Sequence, residues 1–220
     1  VGLCETEAKA LNAPFFHFIS QHQPYVTLKQ AISLDGKITA SEGEQTFITG
    51  KKVKEDVHLA RSQHDAILVG TNTVCIDDPS LTNRLSITKK QPVRVIIDRF
   101  GKIKANATVF TDHAAPTWLC TTAPRDLPNV RVFVLDNCSL GNILRRLADE
   151  GIMTLYVEAG CGIADAFLQQ GFVQKMITYV APKLLGDSAL PMVTSALPRP
   201  FTFDEVTRIG EDIKITMTLK

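Results

Sequence analysis

The chain has 220 residues, 45% of them hydrophobic and 21% charged. That composition excludes a disordered chain and allows one large domain or two small ones, with roughly 70% of the unfolded surface buried in a core. Lys+Arg 24 against Asp+Glu 23 leaves a formal net charge of +1, so no global field holds a polyanion and any anion must be met at a local site.

In chain order, Glu5–Gln21 reads as helical, with Ala8, Leu11, Phe15, Phe16 and Ile19 at helical spacing. Pro14 is expected to kink it or split it in two. After Pro24, Tyr25–Ser33 reads as a strand with Val26, Leu28 and Ile32 on one face and Thr27, Lys29, Ala31 and Ser33 on the other. Asp35-Gly36 marks a turn. Thr49-Gly50 opens a helix that carries Val53, Val57, Ala60 and Arg61 on adjoining faces.

Asp65–Gly70 is a nearly continuous apolar run ending in glycine, as expected of a strand buried on both faces. Pro92–Asp98 and Met153–Glu158 share that character, and Thr117–Cys120 is a shorter example. Helices are expected at Leu140–Ala148 and Ile163–Gln170. Lys175–Val180, Glu205–Ile209 and Asp212–Leu219 show partial period-two alternation, which suggests antiparallel strands. Apolar strands alternating with helices predict an α/β fold with a mostly parallel central sheet and an antiparallel C-terminal edge. No repeat and no Pro/Gly/Ser linker divides it.

Cys4, Cys75, Cys120, Cys138 and Cys161 form no C-x-x-C pair. They support neither a disulfide framework nor structural zinc, and a reducing, cytoplasmic setting is the simplest reading. The five histidines pair with no His or Cys at i, i+4, so no metal site is expected. No 18-residue apolar run spans a membrane, and the early charges of Glu5, Glu7 and Lys9 do not suit a signal peptide. The first residue is Val rather than Met, which reads as a segment of something longer.

In open α/β sheets ligands sit beyond the C-terminal ends of parallel strands, and three segments are candidates there. Gly70-Thr71-Asn72-Thr73-Val74, with Asp77–Arg84 behind it, either presents donors to a phosphate or sugar or is a polar turn with a helix cap. Val157–Gly162 runs glycines into a helix, as a pyrophosphate site does, but Asp165 stands where a G-x-G-x-x-G fingerprint needs its third Gly. Lys29 either meets developing negative charge or is a solvated edge-strand lysine. Arg61 reads as a surface cation or a phosphate ligand. Arg84, in an Asp-rich loop, is the better phosphate candidate, since bidentate guanidinium geometry suits a phosphomonoester.

Taken together, Leu28-Lys29, Ser33–Lys37, Ile48-Thr49-Gly50, Asp65–Gly70, Thr73-Val74, Asp77–Thr82 with Arg84, Val157–Gly160 and Tyr179–Gly186 resemble one family. It is the C-terminal reductase domain of the bacterial bifunctional riboflavin-biosynthesis deaminase–reductase. The resemblance runs from about Glu5 to the C-terminus. It implies a dihydrofolate-reductase-like fold, with residues 1–22 a connecting segment after an N-terminal deaminase domain and residues 23–220 the reductase domain. The deaminase zinc signature is absent from the chain.

The resemblance further implies NADPH as hydride donor and reduction of the ribosyl group of 5-amino-6-(5-phosphoribosylamino)uracil to ribityl. The alternatives are a reductase of the undeaminated pyrimidine and a non-catalytic nucleotide-binding assembly domain. A homodimer is a family-level expectation; nucleic acid is not an expected partner. By position, the resemblance puts Asp77 and Lys29 at the reacting ribose. It gives Arg61, Arg84 and Leu81 to the substrate phosphate and Glu158 to the pyrimidine or ribose. Ala31, Phe47, Thr73 and Asp77 would touch the cofactor, with Gly160, Cys161, Gly162, Ile163 and Ala164 around its pyrophosphate. Arg99, after the Ile97-Asp98 strand end, is either a 2′-phosphate ligand or a surface turn residue. Phe47 replaces the family's commoner tryptophan, and Gln45 a serine that meets the substrate.

Overall fold

A run such as Ala66–Gly70 can be buried throughout only if strands flank it and helices cover both its faces. The computed structural model, which describes residues 2, 4–41, 43, 46–86, 88, 90–195 and 200–219, places it at the centre of a sheet with all five residues buried. The strands are β1 (Tyr25–Ser33), β2 (Lys37–Thr39), β3 (Ala66–Gly70), β4 (Val93–Ile97), β5 (Thr117–Thr121) and β6 (Val130–Val134). They continue with β7 (Thr154–Val157), β8 (Lys175–Ala181), β9 (Leu190–Pro191), β10 (Phe201–Ile209) and β11 (Asp212–Leu219). The helices are α1 (Glu5–Leu11), α2 (Ala13–Gln21), α3 (Lys51–Gln63), α4 (Thr71–Asp77), α5 (Thr108–Thr111), α6 (Leu140–Asp149) and α7 (Cys161–Gln169).

The main sheet runs β10-β11-β8-β1-β7-β3-β4-β5-β6, and β2 pairs with β9 beside it. All pairings from β8 to β6 are parallel, whereas β11 joins β8, and β10 joins β11, antiparallel. The expected α/β class with an antiparallel C-terminal edge is therefore present. One strand corrects the expectation. β8, read as antiparallel, pairs in parallel with β1 through Thr27↔Lys175 to Ser33↔Ala181, and only its other side meets β11 antiparallel. Period-two alternation reports that one face differs from the other, not which way a neighbour runs.

Alternate residues of the central strands feed two layers. Leu28, Leu68, Leu155 and Val157 pack with Ile143, Leu144 and Leu147 of α6 and Phe167 of α7. On the opposite face, Tyr156, Ile177 and Tyr179 pack with Val53, Val57 and Ala60 of α3, and Ile67, Val69 and Ile96 pack with Val74 of α4 and Val109 and Phe110 of α5. Each large apolar side chain so enclosed contributes about 1.5–3 kcal/mol relative to staying exposed. The N-terminal helical stretch is indeed divided, at Asn12, with Pro14 in the first turn of α2. Its apolar residues remain largely outside this core, with Leu11 83% and Ile19 65% exposed.

Arg94 on β4 is fully buried yet fully engaged. It donates to Thr117 Oγ1 (2.9 Å), Asp112 Oδ1 (2.7 Å) and the carbonyls of Ala115 (2.8 Å) and Ser80 (3.0 Å). The last bond ties the loop after α4 to the sheet. Among the described residues no helix is long and apolar enough to cross a membrane.

Candidate functional site

β3 and β7 are neighbours, but the helices that follow them leave to opposite faces. α7 packs with Leu68 and Val157, α4 with Val69. Where successive connections diverge in this way, the C-terminal strand ends open into a crevice. The crevice is present as a cleft of about 1180 Å³. Gly70, at the end of β3, keeps its two walls close: a Cβ there would collide with Ile163 Cδ1 from α7.

One wall is the N-terminus of α7. Gly160 is its cap residue, and its first intrahelical bond runs from Ala164 N–H to Gly160 O at 3.1 Å. The preceding helix amides are thus free to meet an anion, in the positive field of the helix end. Gly160 and Gly162 have open space where a side chain would stand.

The floor is made by β1 and the end of β7. Val157 is in register with Leu28, so Lys29 and Glu158 stand side by side under α3. Arg61, on α3, grips Glu158 with both arms, Nε to Oε1 at 2.7 Å and Nη2 to Oε2 at 3.0 Å, and its Nη1 donates to the Thr82 carbonyl at 3.0 Å. Both side chains of this pair are 13% exposed. Burial pushes the Glu158 carboxyl up, but the charge and hydrogen bonds of Arg61, with Lys29 beyond, hold it below the usual glutamate range. Burial lowers the Lys29 ammonium; Glu158 opposes the shift and Arg61 adds to it. Asp77 ends α4 at the cleft, and burial against the wall raises its carboxyl.

The cleft brings together residues that the sequence could only suspect one at a time. Lys29, Ala31, Phe47, Arg61, Thr73, Asp77, Leu81, Arg84, Arg99, Glu158, Gly160, Cys161, Gly162 and Ile163 all line it. Gln45 lies outside the described residues. Ala164 does not line the cleft: its side chain is fully enclosed in the core and its N–H donates to the Gly160 carbonyl within α7. Lys29 is likewise no edge-strand lysine, because β1 lies between β8 and β7. Thr71–Asp77, read as ligand donors or a polar turn with a helix cap, is the helix α4, with Gly70 as its cap residue. Arg61 is no free surface cation, since Glu158 and Thr82 occupy three of its nitrogens.

A family model described as the RibD C-terminal domain matches residues 24–215. The chain belongs to the RibD C-terminal domain family. It is similar to the riboflavin biosynthesis protein RibD of Bacillus amyloliquefaciens, 39% identical over 233 residues that cover 98% of this chain and 62% of that protein. Among solved structures, RibD of Acinetobacter baumannii superposes with a TM-score of 0.90 at 32% identity, covering 100% of this chain and 64% of the other. A diaminohydroxyphosphoribosylaminopyrimidine deaminase/5-amino-6-(5-phosphoribosylamino)uracil reductase from Thermotoga maritima gives 0.89 at 30% identity, covering 100% and 63%. The chain thus spans less than two thirds of these relatives, and the expected dihydrofolate-reductase-like architecture is the one it shares with them.

Within this RibD-type domain, sequence reasoning missed His58. It lines the cleft one helical turn before Arg61, with Nδ1 3.1 Å from the Thr82 carbonyl oxygen. The i, i+3 spacing of His58 and Arg61 was the available signal, but a His was weighed only as a metal ligand. Phe100 and Lys102, beside Arg99, are also in the cleft and were not singled out.

Proposed function

We propose that this chain is the NADPH-dependent reductase domain of a bifunctional enzyme, converting 5-amino-6-(5-phosphoribosylamino)uracil to its ribityl product. One observation carries the reading: a single cleft joins the open α7 N-terminus to Lys29, Asp77 and the Arg61–Glu158 pair. A nicotinamide dinucleotide fits these residues. The free α7 amides and the space at Gly160 and Gly162 suit its pyrophosphate. Arg99, with its guanidinium 5.1 Å from the Phe100 ring and no carboxylate partner among the described residues, suits a 2′-phosphate.

When bound, the cofactor supplies the hydride. The chain's own residues bind, orient and move protons. Arg84, exposed at the rim, holds the substrate phosphate, and the N–H groups that Arg61 has left add to it. Glu158, kept ionised by Arg61, accepts hydrogen bonds from the pyrimidine or ribose. Lys29 organises opening of the ribosyl ring, in which the C1′–O4′ bond breaks as the nitrogen forms C1′=N, the N–H gives up its proton and O4′ takes one up, leaving an electrophilic imine carbon at C1′. Asp77, its carboxyl pKa raised by burial, hydrogen-bonds the ribose. Phe47 places an aromatic surface against the ligands, with Lys54 Nζ 4.4 Å from its ring centroid.

The relatives' greater length supports an N-terminal deaminase domain in the whole protein. A homodimer and a cytoplasmic location complete the proposal. The test is turnover of the deaminated and undeaminated pyrimidines with NADPH. Faster use of the deaminated compound is expected, with Asp77→Ala lowering kcat about 10²-fold. Preference for the undeaminated compound, or unchanged NADPH oxidation by Asp77→Ala, overturns the respective assignment. Binding of nucleotide without turnover of either compound would return it to an assembly domain.

A further inference from the structure

His58 has no part in the reductase reading above, yet its ring is half-buried in the cleft between Arg61 and the loop that carries Arg84. Its Nδ1 lies 3.1 Å from the Thr82 carbonyl oxygen and 3.3 Å from the Arg84 backbone nitrogen. One nitrogen cannot donate to the first and accept from the second. In one neutral tautomer Nδ1 accepts the Arg84 N–H; in the other, and in the imidazolium, Nδ1–H donates to the carbonyl that also accepts Arg61 Nη1–H. Nε2 has no hydrogen-bond partner among the described residues. The imidazolium donates Nδ1–H to the Thr82 carbonyl and presents Nε2–H to the cleft.

The charged groups facing the ring are Arg61 from its own helix, Arg84 from the loop and Glu158 from the end of β7; Lys29 on β1 stands beside Glu158. Burial first, then Arg61 and Arg84, lower the pKa of the free ring, opposed by the Thr82 carbonyl and more weakly by Glu158, which Arg61 already holds. A phosphate dianion brought to Arg84 adds the missing negative charge beside Nε2 and turns that balance round.

We propose that His58 is a third ligand of the substrate phosphomonoester, beside Arg84 and Arg61, and that its ring takes a proton from solvent as the phosphate binds, donating Nε2–H to it. This rests on the phosphoribosyl reading of the cleft. It makes phosphate affinity depend on pH through a protein group that neither arginine can supply, since a guanidinium stays protonated.

The test is calorimetric titration of the 220-residue chain with ribose 5-phosphate and with ribose. It is run above the second phosphate ionisation, which lies near about 6, in buffers of different ionisation enthalpy. The expected result is proton uptake on binding ribose 5-phosphate, none with ribose, and an affinity that falls as pH rises through neutrality. In His58→Asn, which keeps an N–H near the Nδ1 position and removes Nε2, uptake should vanish. The affinity should drop about tenfold and lose its pH dependence, and with the pyrimidine substrate KM should rise while kcat holds. Binding of ribose 5-phosphate to the unaltered chain without proton uptake overturns the proposal, and needs no variant to fold. Uptake that persists in His58→Asn overturns it as well. If ribose 5-phosphate binds no better than ribose, the phosphoribosyl reading itself fails and His58 loses its role with it.

Discussion

Replacing Arg61 with methionine leaves a carboxylate in the cleft floor without its guanidinium. Methionine keeps the apolar stem as far as the Nε position, so packing of the stem on α3 is largely kept, but Glu158 loses two charge-assisted hydrogen bonds, at 2.7 and 3.0 Å. Breaking a buried pair by removing one partner costs about 3–5 kcal/mol, because the other charge stays desolvated. Lys29 still favours the carboxylate, so the lower end, about 3 kcal/mol, is expected. For a chain of this size that corresponds to a Tm lower by about 6–12 °C. The pH dependence gives a sharper check. In the native chain the folded pKa of Glu158 is depressed, so its pairing stabilises fully at neutral pH and is lost as pH falls through the acid range. Without Arg61, burial dominates and the folded pKa moves above the ordinary value, so the penalty is present at neutral pH and relieved by acid. The stability gap measured by urea denaturation should therefore narrow from neutral pH to below the usual glutamate value of about 4.3. Arg61→Met with Glu158→Gln should recover most of the loss. A gap under about 1 kcal/mol at neutral pH, or one that does not change with pH, refutes the reasoning.

Lys29→Met should abolish most turnover while nucleotide binding is retained, and the alkaline limb of kcat/KM should fall below the ordinary lysine range, as the lowered ammonium requires. A profile flat through that range would remove Lys29 from the chemistry. Arg99→Ala should lower kcat/KM for NADPH about tenfold, consistent with loss of one charge-assisted hydrogen bond, and leave NADH unchanged; equal losses with both would put the 2′-phosphate elsewhere. Asp212, 3% exposed at the start of β11, accepts the Gly50 N–H at 2.8 Å where α3 begins. Asp212→Ala should cost about 1–2 kcal/mol in chemical denaturation, and Asp212→Asn less than half of that. Equal losses would mean the carboxylate acts through charge rather than as an acceptor.

The long strands and helices were legible because burial imposes a pattern. β3 is a run of five residues with no polar side chain, and α6 places Ile143, Leu144 and Leu147 on one face. β6 was not read, although Val130, Val132 and Val134 alternate with Arg131 and Phe133, because a five-residue edge strand leaves few positions to count. α4 was hidden because its helical signal is only seven residues long and starts with Thr-Asn-Thr. The site was legible as scattered chemistry: Lys29, Arg61 and the segments after Gly70 and Val157 each had a bland reading, and only their combination, with Arg84, resembled a family.

What the sequence determined by itself was the class of fold and the inventory of reactive groups, since both follow from local pattern and residue type. Near-neutral charge already required any anion to be met by a few placed cations. Which cations those are was decided by tertiary structure. The parallel pairing of β1 with β7 sets Lys29 beside Glu158, residues 129 apart in sequence. The packing of α3 over them commits Arg61 to Glu158 and brings His58 into the cleft. Burial, partner choice and the direction of each pKa arise from those long-range contacts, and no spacing along the chain encodes them.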